Sequence, residues 1–171
     1  MHELTANKII ELLGLEPLPE EGGLFRQTYR SAEAIPAAGL PSRYGAPRRL
    51  ATAIFYLLTA DPDSFSALHR LKTDEVYHLY LGDPVEILLL HPDGAGERAV
   101  LGQDLAAGQH VQFVVPAGSW QGSRLVPGGR YVLLGTTMAP GYEQEDFELG
   151  GREMLLSGYP DQAELIRALT R

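Results

Sequence analysis

Between Ala51 and Met138 the sequence breaks into short runs rich in Val, Ile, Leu, Tyr, Phe and Thr, each closed by a turn signal. The runs are Ala51–Leu58, Phe65–Lys72, Glu75–Leu81, Val85–His91, Glu97–Leu101, Val111–Val115 and Tyr131–Met138. Asp61-Pro62-Asp63, Gly82-Asp83-Pro84, Pro92-Asp93-Gly94, Ala107-Gly108 and Pro127-Gly128-Gly129 separate them. β-branched and aromatic residues fit a pleated, half-buried surface, and the turn residues stop each run after a few positions. So many short strands at close spacing leave no room for crossover helices. They predict an all-β sandwich or barrel rather than βαβ units.

The flanks are different. Residues 5–13 predict a short helix, with Thr5 as N-cap, Ile9, Ile10, Leu12 and Leu13 at helical spacing, and Gly14 as the stop. Leu24 to Tyr29 reads as a strand entered through Gly22-Gly23. Residues 31–48 carry Pro36, Pro41 and Pro47 and little pattern, which predicts a long loop that is functional or disordered. Asp161 to Leu169 predicts a closing helix, with Asp161 and Glu164 as a capping pair and Leu165, Ile166 and Leu169 as its apolar stripe. A chain of 171 residues with no internal repeat and no second composition reads as one domain, 1–171.

Charge and composition exclude several functions. The net charge is −8, which opposes nucleic acid and anionic membrane surfaces as partners, because both need concentrated Lys and Arg. With no cysteine, thiolate metal sites, disulfides and a Cys nucleophile are ruled out. Met1-His2-Glu3-Leu4 lacks the pattern of a signal peptide, and no apolar run approaches a membrane span. A soluble, cytoplasmic protein is expected. Gly22-Gly23 and Gly128-Gly129 lack phosphate-loop spacing, and there is no G-x-S-x-G elbow.

Chemistry concentrates between Phe65 and His78. Strand alternation puts Phe65, Ala67, His69 and Leu71 on one face, the apolar one. On the following strand Glu75, Tyr77, Leu79 and Leu81 share a face, and Val76, His78 and Tyr80 share the other. A His and a Glu on neighbouring strands, both directed inward, are costly to bury without a partner. They answer to a metal, to a ligand, or to each other in a structural hydrogen bond.

These residues resemble the cupin superfamily. Glu75-x6-Gly82 follows the end of its first motif, His69 stands near the second histidine of H-x-H, and Pro116-Ala117-Gly118 matches the P-x-G of its second motif. A closer resemblance, over nearly the whole chain, is to the DUF985 (Cupin_5) family. It rests on Pro19-Glu20-Glu21-Gly22-Gly23, His69-Arg70, Asp74-Glu75-Val76-Tyr77-His78, Val114-Val115-Pro116-Ala117-Gly118-Ser119-Trp120, Ala139-Pro140-Gly141-Tyr142 and Asp146-Phe147-Glu148. The resemblance implies a jelly-roll barrel, often a homodimer, with a small-molecule pocket and no settled activity.

The departures matter as much. Ala67 occupies the position of the first motif histidine and Gln121 that of the second motif's histidine. The implied metal ligands reduce to His69, Glu75 and Gln121, for a divalent ion such as Zn, Ni, Fe or Mn. An amide oxygen is a weak ligand for most of these. The metal-free alternative is acid–base chemistry of the epimerase or isomerase type, with His69 as base beside Glu75, and Tyr77 or Tyr131 as acid. Arg26, His78, Trp120, Gln121 and Tyr131 are the candidate substrate contacts, each equally readable as a packing or surface residue. A non-catalytic binding or sensing module is the second functional class.

Overall fold

A computed structural model describes residues 4–171; the first three residues, where no leader pattern is read, lie outside the described part. Helix α1 (Ala6–Leu13) starts at Thr5, whose hydroxyl accepts from the Lys8 amide, and ends at Gly14 with φ 60°. The strands follow in order: β1 (Glu16–Pro17), β2 (Leu24–Arg30), β3 (Ala34–Ile35), β4 (Arg48–Arg49), β5 (Thr52–Thr59), β6 (Ser66–Arg70) and β7 (Glu75–Gly82). Next come β8 (Val85–Leu90), β9 (Gly96–Leu101), β10 (Gln112–Val115), β11 (Trp120–Leu125), β12 (Tyr131–Met138) and β13 (Glu148–Leu149). Helices α2 (Arg152–Gly158) and α3 (Ala163–Ala168) close the chain.

The strands form two antiparallel sheets, β1-β2-β5-β12-β7-β10 and β13-β6-β11-β8-β9, with β3-β4 as a separate ribbon. One apolar cluster joins their inner faces: Tyr56, Leu58, Tyr77, Val132 and Leu134 from the first sheet meet Ile87, Leu89 and Leu101 from the second. This is the two-sheet architecture that the strand rhythm predicts and the jelly roll that the family resemblance implies. The outer surface of the second sheet is covered by α2 and α3, through Leu155, Leu165, Ile166 and Leu169 against Leu68, Leu88, Leu90 and Trp120. Helix α1 covers part of the other sheet, with Ile9 and Leu15 against Leu57 and Leu133. Among the described residues no helix is long and apolar enough to cross a membrane.

Three expectations are revised. The segment 31–48 is ordered: it forms the β3–β4 ribbon and two short 3-10 turns, and Tyr44 and Arg48 are buried in it. Asp161 does not cap the last helix, since Pro160–Gln162 is a 3-10 turn and α3 starts at Gln162 without a side-chain cap. Leu81 leaves the inner face and is 41% exposed. A bulge between Leu133 and Leu134 sets Leu79 opposite Leu134 and Leu81 opposite Leu133, so the alternation slips at Tyr80.

Strand β11 was invisible in the sequence, although it is central to its sheet, between β6 and β8. Trp120-Gln121-Gly122-Ser123-Arg124-Leu125 has no apolar alternation, because tight packing on both sides replaces side-chain bulk. A Cβ on Gly122 would lie 3.0 Å from both Leu68 Cγ and the Ser66 carbonyl oxygen. The close approach of β6 demands glycine there.

Candidate functional site

A cavity of about 420 Å³ opens between the two sheets, with His69, Glu75, Thr136, Met138 and Leu71 in its wall. The sequence suggests neighbouring strands for His69 and Glu75. The structure instead places them on different sheets, β6 and β7, because the short link from Leu71 to Asp74 crosses between the layers. The two side chains therefore enter one cavity from separate sheets.

Each polar group is held by its neighbours. His69 is 1% exposed, and its Nδ1 lies 2.8 Å from the Ala67 carbonyl oxygen. A carbonyl only accepts, so Nδ1 carries the proton and Nε2 keeps its lone pair when the ring is neutral. The imidazole stacks on Phe147, with centroids 5.2 Å apart and planes at 21°. Gln121 pairs with His69 across β6 and β11, and its Nε2 donates to Glu75 Oε2 at 2.7 Å. Burial pushes the Glu75 carboxyl above its ordinary range; the His69 charge pulls it back, and Glu21 adds to the rise.

Glu21 is the residue that sequence reasoning missed. Its Oε2 lies 4.0 Å from His69 Nε2, and its Oε1 accepts from Ser66 Oγ at 2.8 Å. It comes from the Gly22-Gly23 loop, where no periodicity indicates a direction, so alternation could not aim it. The loop is tied down: the Ala67 amide donates to the Glu21 carbonyl at 2.8 Å, and Tyr56 Oη donates to the Gly22 carbonyl at 2.9 Å. Tyr142 and Phe147 were likewise noted only as family marks, and both line the cavity.

The other candidates separate by strand parity. On β2, Phe25 and Gln27 face the cavity, while Arg26 is exposed and donates from Nη1 to the Leu13 carbonyl at the end of α1. On β12, Thr136 and Met138 line the cavity, whereas Tyr131 packs with Leu133 against the α1 cluster. Trp120 faces away from Gln121, into the α2–α3 cluster, with the Arg70 guanidinium 4.5 Å above its ring. His78 lies on the outer face, within 3.2 Å of Gln112 Nε2 and 3.3 Å of Thr137 Oγ1. Tyr77 is buried in the main core, where burial and then the Glu75 charge drive its hydroxyl well above the usual range. These five side chains, and Gln121 with them, stand outside the cavity lining.

As a metal shell the site falls short. Among the described residues no three His, Asp or Glu side chains gather in a way that could hold an ion. Ala67 has no donor, and the Gln121 amide turns its nitrogen towards Glu75. These residues do not fit a tightly held divalent metal.

Comparison with known proteins agrees with this architecture. The X-ray structure of protein SO0799 from Shewanella oneidensis superposes with a TM-score of 0.86 at 36% identity, covering 99% of each chain. A hypothetical protein from Leishmania major gives 0.85 at 29% identity, over 98% of this chain and 99% of that one. The uncharacterized protein YML079W of Saccharomyces cerevisiae is 29% identical over 134 residues, 74% of this chain, which spans 66% of the yeast protein's length. Oxalate decarboxylase from Bacillus subtilis shares the fold alone, at 12% identity and a TM-score of 0.51 over 91% of this chain and 37% of its own. The sequence profile described as "Cupin superfamily (DUF985)" matches residues 7–150, and the chain belongs to that family, Cupin_5.

Proposed function

We propose that this cupin binds a small organic molecule in the cavity between its sheets and moves a proton on it without a metal, in an isomerisation or epimerisation. The observation that carries the reading is the tautomer of His69. Its Nδ1–H is committed to the Ala67 carbonyl at 2.8 Å, which leaves the Nε2 lone pair as a base in a cavity wall. In this reading His69 takes a proton from a carbon beside a carbonyl. Glu75, biased towards its protonated form by burial, donates to the oxygen where negative charge develops. Tyr77 supports Glu75 from behind, and Gln121 orients it.

The test is solvent exchange. Small hydroxy-carbonyl compounds and sugars incubated in deuterated buffer are followed by proton NMR. Wild-type protein is expected to label at least one of them at a single carbon, and His69→Gln to lose that labelling. A compound that binds in the cavity yet never exchanges would sink the catalytic reading.

A non-catalytic binding module is the second reading, and Tyr142 favours it. Burial first, and then the charge of Glu21, raise its hydroxyl far above the ordinary value of 10.0, and it already donates to Gln144 Oε1 at 2.7 Å. That phenol is a poor proton donor for turnover and a good fixed wall for a ligand.

A homodimer is part of the proposal. On the outer face of the six-stranded sheet Tyr80 and Val114 remain 45% and 50% exposed, and Tyr80 packs edge-on against Phe55 with centroids 6.0 Å apart. Light scattering is expected to give twice the chain mass, and a monomer at micromolar concentration would remove this part.

A further inference from the structure

We infer that the cavity selects a small organic ammonium compound, its positive nitrogen set between Glu20 and Glu21 and its apolar body against Phe25 and Phe147. The inference rests on the cavity being the binding site proposed above, and it names the ligand's charge and shape.

The first support is the sign of the wall. Glu20, Glu21 and Glu75 all line the cavity, and among the described lining residues none is Lys or Arg. Arg171 approaches the same loop, but its guanidinium meets the Glu21 backbone carbonyl at 3.4 Å and the ring of Phe65. Lys72 and Arg48 are drawn to Asp146, in a separate cluster. An anionic ligand would enter against uncompensated carboxylates, in a partly desolvated space where charges interact strongly. Negative charge converges on the site: Glu21 and then Glu20 act, after burial, to hold the Tyr142 hydroxyl protonated.

The second support is independent of charge. A buried acceptor is left over next to Glu75. Gln121 Oε1 is buried with no hydrogen-bond partner, on the same amide whose nitrogen bonds Glu75. His69 Nε2 lies 4.0 Å from Glu21 Oε2 and is an acceptor when the ring is neutral. Ser66 spends its hydroxyl proton on Glu21. An unused acceptor is complemented by a donor, and an ammonium has three donors and no acceptor. Aromatic faces at Phe25, Tyr142 and Phe147 suit both the cation and an apolar body.

Glu20 adds a geometric sign of purpose. Among the described residues it is the non-glycine residue with positive φ, at 64°, an uncommon conformation for a side chain of this size.

The test uses three probes of one shape: benzylammonium, benzyl alcohol and benzoate, titrated into the full chain at pH 7 by calorimetry. Benzylammonium is expected to bind at least about tenfold more tightly than benzyl alcohol, with benzoate weakest, and added salt should weaken only the first. Glu21→Gln, which keeps an acceptor for Ser66, should reduce the preference for the cation to about threefold or less. If that variant fails to fold, Glu20→Gln and the salt series on wild-type protein carry the same test. Benzoate binding as tightly as benzylammonium, salt-independent binding of the cation, or no binding of any probe at millimolar concentration would each overturn the inference. The outcome is separable from the catalytic reading. Cation preference without deuterium exchange removes only the catalysis, and exchange on anionic compounds removes only the ammonium.

Discussion

Two buried polar clusters lie a few residues apart in this molecule and are built in opposite ways. In one, Arg48 and Asp146 have side chains 0% and 1% exposed, and form a bidentate pair with both bonds at 2.6 Å. The remaining guanidinium hydrogens reach the carbonyls of Tyr44, Ala46 and Pro47, and Glu145 adds a second carboxylate at 2.6 Å. Every donor is used. In the other, His69 and Glu21 stop 4.0 Å apart, and Gln121 Oε1 has no partner. The first cluster pins the 31–48 segment to the end of the chain's β structure. The second adjoins a cavity, with His69 and Glu21 in its wall. Buried polar groups that satisfy one another serve the fold, whereas those that do not are waiting for something to complete them.

The largest expected effect breaks the complete cluster. Arg48→Ala removes the bidentate partner of the buried Asp146, leaving it Lys72 at 3.3 Å, and should cost about 3 kcal/mol in urea unfolding. A loss below about 1 kcal/mol would remove the contrast between the clusters. The His69→Gln change in the incomplete cluster should do the reverse, leaving the melting point nearly unchanged while slowing any deuterium exchange by about 100-fold or more.

Glu75→Gln sharpens the comparison through pH. The folded-state Glu75 carboxyl titrates above its ordinary value of 4.5, so its contribution to stability is fully present below that value and is lost as pH rises through the folded value. Glutamine does not titrate. The variant should therefore gain on wild type with rising pH, by on the order of 1 kcal/mol at neutral pH. Paired chemical unfolding curves across the range check this, and a gap that closes as pH rises would contradict it. Ser66→Ala is the gentlest change. It removes the 2.8 Å bond to Glu21 and should cost about 1 kcal/mol, with a weaker preference for benzylammonium. An unaltered preference would show that Ser66 does not position Glu21.

Much of the frame was legible in the sequence, because side-chain alternation on a strand is a local property. The runs at Glu75, Val85 and Tyr131 carry enough apolar residues to reveal it, and the same logic turned His69 and Glu75 inward. It failed wherever tertiary packing replaced pattern. β11 hides because its partners leave room only for small residues, and the slip at Tyr80 depends on a bulge shared with another strand. Parity read further along the chain would also have separated Arg26 from Phe25 and Trp120 from Gln121, had β11 and the sheet faces been known.

The sequence by itself determined the β-rich class, the family, the capped first helix and the inward His69 and Glu75, since each depends on residues close along the chain or on a motif. Only the tertiary structure decided that these two side chains face one cavity from different sheets, that Glu21 joins them from a glycine loop, and that no Lys or Arg stands among the described lining residues. The physical reason is that alternation sets which face a residue takes, while the partner across that face is chosen by loops and sheet packing that bring distant segments together.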